Sequence, residues 1–151
     1  EEGRSIYVAS GTIRLPVKET LAARLSVLFD SLIEIIDTYN PTEGVIEQVF
    51  MAKSADSALK LGHARGAAMV ACVTKGLLVH EYAARQIKQS VVGTGAATKQ
   101  QVQHMVTALL GLSEAPAEDA ADGLAAALCH CHAAGLSAAL SASGFRAGRL
   151  R

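Results

Sequence analysis

Short runs of β-branched residues alternate along this chain with long segments whose apolar residues recur at helical spacing. The first long segment is Lys18–Tyr39, where leucines and isoleucines recur every three or four residues until Asn40–Pro41 ends the pattern. The run GVIEQVF at Gly44–Phe50 is too short for a helix and is predicted to form a buried strand. This alternation constrains the fold most, because strands alternating with helices pack as a sheet covered by helices.

The same alternation continues to the end of the chain. The other predicted elements are a strand at Ser5–Ile13, a helix at Ala55–Lys75 after the N-cap Ser54, a strand at Leu77–Tyr82, a short helix at Ala84–Val91, a helix capped by Thr98, and a helix from about Ala117 into the 130s. The order β-α-β-α-β-α-α predicts an α/β fold. We expect one domain over residues 1–142 and a basic flexible tail over 143–151.

Composition excludes several classes of protein. The chain has 151 residues, half of them apolar, which is typical of a globular domain rather than a disordered or fibrous chain. No apolar run is long enough to span a membrane, and the first residues lack the pattern of a secretory signal, so we expect a cytoplasmic protein. The cysteines number three, which argues against a disulfide scaffold and predicts reduced thiols.

The net charge is zero, but the charges are unevenly distributed. Residues 48–113 carry seven basic and two acidic side chains, whereas residues 1–47 carry four basic and eight acidic ones. A basic segment between acidic clusters could bind a polyanion and place metal-binding carboxylates against it. A solvated surface of mixed charge explains the same counts.

Carboxylates at two places in the chain are candidate metal ligands. Glu47 interrupts an apolar strand, where an ionised carboxylate needs a compensating cation or an orientation toward solvent. Asp119 and Asp122 stand three residues apart on one face of the last predicted helix, next to Glu118. Acidic residues also favour the dipole of a helix start, but together with Glu47 they form the oxygen ligand set that Mg²⁺ prefers.

Two lysines flank the glycine loop at Gly93–Gly95. Lys88 precedes the loop, and Lys99 lies in the first turn of the helix capped by Thr98, where free backbone N–H groups can hold a phosphate. The loop lacks the Gly-Lys-Ser/Thr ending of a nucleotide-binding P-loop, so a DNA phosphate is the better candidate. Ordinary exposed lysines remain the alternative.

The run Cys129–His132 alternates thiols with imidazoles. Residues two apart on a helix point to nearly opposite sides, so these four side chains cannot converge on one zinc ion. We expect the two thiols to lie on the buried face and the imidazoles outside. Cys72 is predicted to be a core residue.

Several motifs along the chain resemble the RuvC family of Holliday-junction resolvases. The resemblance covers the chain from Ser5 onward. Its residues are IEQVFMAK at Ile46–Lys53, ADSALKLG at Ala55–Gly62, EYAARQ at Glu81–Gln86, VVG at Val91–Gly93, QVQHM at Gln101–Met105, DAAD at Asp119–Asp122 and the basic AGRLR at Ala147–Arg151.

The resemblance implies an RNase H-like α/β fold with a mixed sheet flanked by helices. It further implies a homodimer that cuts four-way DNA junctions with two Mg²⁺ ions per site, for which Mn²⁺ can substitute, together with the RuvAB branch-migration complex. One ion would activate water for in-line attack and the other would stabilise the leaving oxygen, which gives a 5′-phosphate and a 3′-hydroxyl. The residues that match the family's functional positions are Glu47, Asp119 and Asp122 as catalytic metal ligands, Phe50 as the aromatic contact to unstacked bases, and Lys88 and Lys99 as DNA-binding residues.

One family motif is missing from the sequence. The family's first strand ends in Gly-Ile-Asp-Pro-Gly and supplies a fourth acidic ligand, and no such motif occurs here. We expect the natural protein to carry this strand upstream of Glu1. A junction-binding protein without catalysis is the alternative function. For the dimer contact, the small residues Ala55, Ala58, Gly62 and Gly66 form a candidate helix face, and packing of this face inside its own subunit is the alternative.

Overall fold

The computed structural model describes residues 4–49 and 54–142, the last three by their backbone alone. Phe50 and residues 143–151, for which a base contact and a flexible tail are predicted, lie outside the described residues. The elements are α1 (Leu21–Tyr39), β1 (Glu43–Gln48), α2 (Ala55–Thr74), β2 (Leu78–Ala83), α3 (Ala84–Val92), α4 (Lys99–Leu110) and α5 (Glu118–Ala142). Each of the helices predicted from the sequence is confirmed, and so are the strands near residues 45 and 80.

Side-chain caps begin the first two helices, at the predicted Ser54 for α2 and at Thr20, inside the predicted segment Lys18–Tyr39, for α1. The Thr20 hydroxyl accepts a hydrogen bond from the Ala23 N–H at α1, and the Ser54 hydroxyl accepts one from the Ser57 N–H at α2. Asn40 ends α1 in the left-handed conformation, with φ of 47°, and its N–H donates to the Ile36 carbonyl. Local residues therefore determine where these helices begin and end.

The strands β1 and β2 pair in parallel, with Gly44 opposite Val79 and Glu47 opposite Tyr82. Side chains alternate between the two faces of a sheet, so Glu47 shares one face with Val45 and Gly44 lies on the other. The helix α2 covers the face of Gly44: an added Cβ at Gly44 would lie 3.0 Å from Cys72 Sγ. Glu47 therefore lies on the face of the sheet opposite α2.

A small core joins α1, α2 and the strands. Ile36, Cys72 and Leu77 are buried together, with Val79 packed against them, which confirms Cys72 as a core residue. Burial raises the pKa of the Cys72 thiol, with an opposing contribution from a backbone hydrogen bond. Arg65 on α2 forms an ion pair with Glu81 on β2, so a polar contact also links the helix to the sheet.

A second group of helices contains α3, α4 and α5. Val106 on α4 is fully buried, and α5 contributes small residues to the same core, among them Ala121 and Ala125. The helices α4 and α5 pack along each other. The contact between α3 and α5 includes a 3.0 Å hydrogen bond between Ser90 Oγ and His132 Nδ1. The described residues of Gly11–Arg85 form one compact unit, and those of Glu1–Ser10 with Gln86–Arg151 form the other.

Three local predictions are wrong. Ser5–Ile13 forms no strand, and Ile6 and Val8 are more than 70% exposed, at 77% and 74%. A β-branched segment needs a hydrogen-bonded neighbour, and among the described residues it has none. The strand β1 is half-buried rather than buried, with Glu47 exposed. Cys129 is buried but Cys131 is exposed, because two residues along a helix turn the side chain by about 200°.

Among the described residues, no helix is both long and apolar enough to cross a membrane.

The contact between Gly44 and α2 leads to a testable prediction. Gly44→Ala should lower the free energy of unfolding by about 1–3 kcal/mol, because the new methyl group overlaps Cys72 Sγ. In a Cys72→Ala background the same substitution should cost less than about 0.5 kcal/mol, since the overlapping sulfur is gone. Urea unfolding of the four proteins measures both costs, with Gly11→Ala as the control because its Cβ meets nothing within 4 Å. An equal cost in both backgrounds would show that the close approach is unimportant.

Candidate active site

The helix α4 begins with a reciprocal cap that positions Lys99. The Thr98 hydroxyl accepts a hydrogen bond from the Gln101 N–H at 3.2 Å, and the Gln101 side chain accepts one from the Thr98 N–H at 2.8 Å. Lys99 is the first residue of this helix. The cap therefore determines the position from which the Lys99 side chain extends.

A hydrogen bond across the α4–α5 connection positions the start of α5. The Gln103 side-chain amide donates to the Pro116 carbonyl oxygen at 2.6 Å. Pro116 lies two residues before α5 begins at Glu118. Because Gln103 is one turn along α4 from Lys99, this bond brings the first turn of α5 to the beginning of α4.

Acidic side chains occupy the first two turns of α5. Glu118 and Asp119 lie in the first turn, where negative charge favours the helix dipole. Asp122 is four residues after Glu118 and three after Asp119, so all three project to adjacent parts of one side of the helix. Glu118 and Asp119 are exposed and Asp122 is half-buried, which leaves their oxygens accessible to a ligand.

The Lys99 ammonium group lies among these carboxylates. Lys99 Nζ is 3.3 Å from Glu118 Oε1 and 3.8 Å from Asp122 Oδ2. The hydrogen bond to Glu118 is the main cause that raises the pKa of Lys99, followed by the charges of Asp122 and Glu118. Burial opposes them, and the charge of Asp119 contributes last. Two carboxylates thus contact one ammonium group, and the charge of a third, Asp119, acts on it from the same helix.

Asp119 and Asp122 could supply oxygen ligands to a divalent cation. Carboxylate oxygens are the ligands that Mg²⁺ prefers, and the ammonium group shows that the cluster already attracts a cation. After Lys99 is counted, an excess of two negative charges remains, which matches the charge of one Mg²⁺ ion. Asp119 and Asp122 are the residues of this cluster that the sequence singled out as ligands.

Glu47 and Lys88 are the other predicted site residues that the structure describes. Glu47 is exposed near the end of β1, in the unit formed by Gly11–Arg85. Lys88 is half-buried on α3, and it makes no ion pair within the part of the chain that the structure describes. Within the unit that contains α4 and α5, the predicted site residues that lie close together are Asp119, Asp122 and Lys99.

Glu118 is the residue that the sequence analysis left without a role. It was grouped with the acidic cluster but not assigned to the site, although it makes the shorter contact to Lys99. Its i, i+4 spacing to Asp122 was visible in the sequence. What the sequence could not show was that α4 places an ammonium group beside that face.

Comparisons with known proteins identify the family. The family model of the crossover junction endodeoxyribonuclease RuvC matches residues 1–130. The curated RuvC of Saccharophagus degradans is 60% identical over 149 residues, covering 98% of this chain and 86% of that protein. The RuvC of Teredinibacter turnerae is 66% identical over 130 residues, covering 83% of this chain and 73% of that protein.

Solved structures agree with the sequence comparisons. The Thermus thermophilus RuvC structure superposes with a TM-score of 0.79 at 30% identity, covering 89% of this chain and 81% of that one. T. thermophilus RuvC in complex with a Holliday junction substrate has a TM-score of 0.81 at 30% identity and covers 89% and 82%. The α/β, RNase H-like fold expected from the sequence is confirmed by these neighbours. The chain belongs to the RuvC family of crossover junction endodeoxyribonucleases.

Proposed function

We propose that this protein resolves four-way DNA junctions by metal-assisted hydrolysis of phosphodiester bonds. The observation that carries the proposal is the structural match to T. thermophilus RuvC in complex with a Holliday junction substrate, which extends over 89% of this chain. The products are a 5′-phosphate and a 3′-hydroxyl, and the reaction belongs to DNA recombination and repair in the cytoplasm. The alternative is junction binding without catalysis, and measurements of junction nicking distinguish the two.

Glu47, Asp119 and Asp122 are the proposed metal ligands. Mg²⁺, two ions per site, or Mn²⁺ in its place, would supply charge neutralisation and an activated water there. Within the described cluster, Asp119 and Asp122 offer oxygens on one side of α5, and the excess negative charge around Lys99 supports this assignment. These two side chains orient a cation relative to α4, where the DNA phosphate would lie.

Lys99 and Lys88 are proposed to bind the DNA backbone. Lys99 is the first residue of α4, and its ammonium group lies beside the proposed ligand Asp122. When a phosphate approaches the carboxylate pair, the ammonium group lowers the repulsion between their like charges. Phe50 is proposed to stack on unpaired bases at the crossover, which is worth about 1–3 kcal/mol per base.

A homodimer and the RuvAB complex are the proposed protein partners. The outer face of α2 is apolar and exposed: Leu59, Val70 and Val73 are 64%, 57% and 64% exposed. Gly62 and Gly66 lie between them at helical spacing, and an added Cβ at either would meet nothing within 4 Å. We assign this face, the α2 stripe, to a second copy of the chain, because a four-way junction presents two equivalent strands to a two-fold dimer.

The metal ligands are tested by nicking of a synthetic four-way junction in Mg²⁺. Asp119→Asn and Asp122→Asn should each lower the rate at least about 100-fold, because charge stabilisation worth several kcal/mol is lost. Glu114→Gln is the control, since it removes a carboxylate from the preceding loop. The rate of each variant is compared with that of the parent protein under the same conditions. Normal rates in both aspartate variants would contradict the assignment.

The role of Lys99 is tested by the salt dependence of junction binding. Lys99→Ala should reduce the slope of log affinity against log salt concentration by about 0.9, as expected for one lost phosphate contact. Fluorescence anisotropy with a labelled junction in Ca²⁺ measures the slope without cleavage. Lys60→Ala is the control, because Lys60 pairs with Asp56 on α2 and has a comparable exposure. An unchanged slope for Lys99→Ala would show that Lys99 does not contact phosphate.

The α2 stripe is tested by the mass of the protein in solution. Gly66→Leu should raise the dimer dissociation constant about tenfold or more, because the new side chain separates the two helices. The fold of the subunit should be retained, since the side chain enters open space. Gly135→Leu on α5 is the control, because its Cβ also meets nothing within 4 Å. Sedimentation at micromolar concentration distinguishes the outcomes: a dimer that persists in Gly66→Leu, or a monomeric parent protein, contradicts the assignment.

A further inference from the structure

Glu118 and Asp122 both contact Lys99, but they are not equivalent. Asp122 is a proposed metal ligand, and its contact to Lys99 Nζ is the longer of the two, 3.8 Å against 3.3 Å. A cation on Asp122 would compete with the ammonium group for the same carboxylate. Glu118 is not among the proposed ligands, so its carboxylate stays available to Lys99 when Asp122 does not.

Without Glu118, the ammonium group would have two poor alternatives. It could pair with Asp122 and oppose metal binding, or it could move into solvent and leave the carboxylate pair. Lys99 has a long, flexible side chain that is 57% exposed, so its ammonium group is free to move into solvent when it is not paired.

We propose that Glu118 is a positioning residue that holds the Lys99 ammonium group beside Asp119 and Asp122. The Glu118 carboxylate keeps the ammonium group at the start of α4, close to the proposed metal ligands. This contact does not depend on whether a cation occupies those ligands. This inference rests on the proposed function of Lys99, Asp119 and Asp122. Glu118 acts through Lys99, and its proposed role requires no contact with a metal ion or with DNA.

The contact is modest in energy. Both side chains are more than half exposed, at 57% and 56%, and exposed ion pairs contribute little to stability. The substitution Glu118→Gln should therefore leave the fold intact. Its effect should appear in the acetylation rate of the Lys99 amine, which should rise by a factor of about 1.5 to 5.

The reactivity of the Lys99 amine measures this position without using activity. The protein is treated briefly with an N-hydroxysuccinimide acetate, and the acetylation rate of each lysine is read by mass spectrometry. Lys99 should react about 1.5 to 5 times faster in Glu118→Gln than in the parent protein, and Glu118→Asp should recover part of the protection. Lys60, which pairs with Asp56 at 2.7 Å, is the internal standard, and Glu114→Gln is the charge-matched control.

Mn²⁺ then separates a positioning role from a merely structural contact. In the parent protein, Mn²⁺ should change the Lys99 rate less than twofold, because Glu118 retains the ammonium group when Asp122 is occupied. In Glu118→Gln, Mn²⁺ should raise the rate further, since Lys99 then loses its remaining partner. With a merely structural contact, Mn²⁺ would raise the Lys99 rate by the same factor in both proteins.

The outcomes distinguish failure of this inference from failure of the proposed function. Equal Lys99 rates in Glu118→Gln and the parent protein without metal would overturn the positioning role, and so would an equal Mn²⁺-induced rise in both. Faster acetylation of Lys99 in Glu118→Gln, with no response to Mn²⁺ in either protein, would still support the proposal that Glu118 holds the Lys99 ammonium group. That last result would count against the metal assignment of Asp119 and Asp122.

Discussion

The packing of α4 along α5 determines the chemistry of the acidic cluster. Val106 is fully buried in this part of the core, and α5 meets it with alanines, whose small side chains let two helices approach closely. The Gln103 hydrogen bond to Pro116 then sets where α5 starts. Any change that separated these helices would remove the ammonium group from the carboxylates, although no residue of the cluster itself had changed.

Electrostatic balance in the cluster explains why so many charges can stand together. Three carboxylates at the start of one helix repel one another, but the helix dipole and Lys99 both compensate part of that charge. The compensation is incomplete, which leaves the cluster attractive to a divalent cation. The same side chains thus favour the helix dipole of α5 in the free protein and include the proposed metal ligands.

Local predictions succeeded where the pattern and the structure it predicts lie within a few residues, and failed where the structure depends on a distant part of the chain or on the period of the element. Thr98 and Gln101 form a reciprocal cap within four residues, so the start of α4 could be read from the chain alone. The β-branched segment Ser5–Ile13 was misread because a strand exists only through a neighbouring strand. Cys131 was misplaced because an alternating pattern suits a strand, whereas the helical period turns alternate residues to opposite sides.

The sequence by itself determined the family, the order of helices and strands, and the candidate ligands Asp119 and Asp122. These depend on motifs, caps and periodicities within a few residues of one another. Only the tertiary structure decided that Lys99 meets Glu118 and Asp122, and that Glu47 lies on the sheet face opposite α2. Those facts depend on how helices and strands distant in sequence pack together, and side-chain contacts of that kind leave no pattern along the chain.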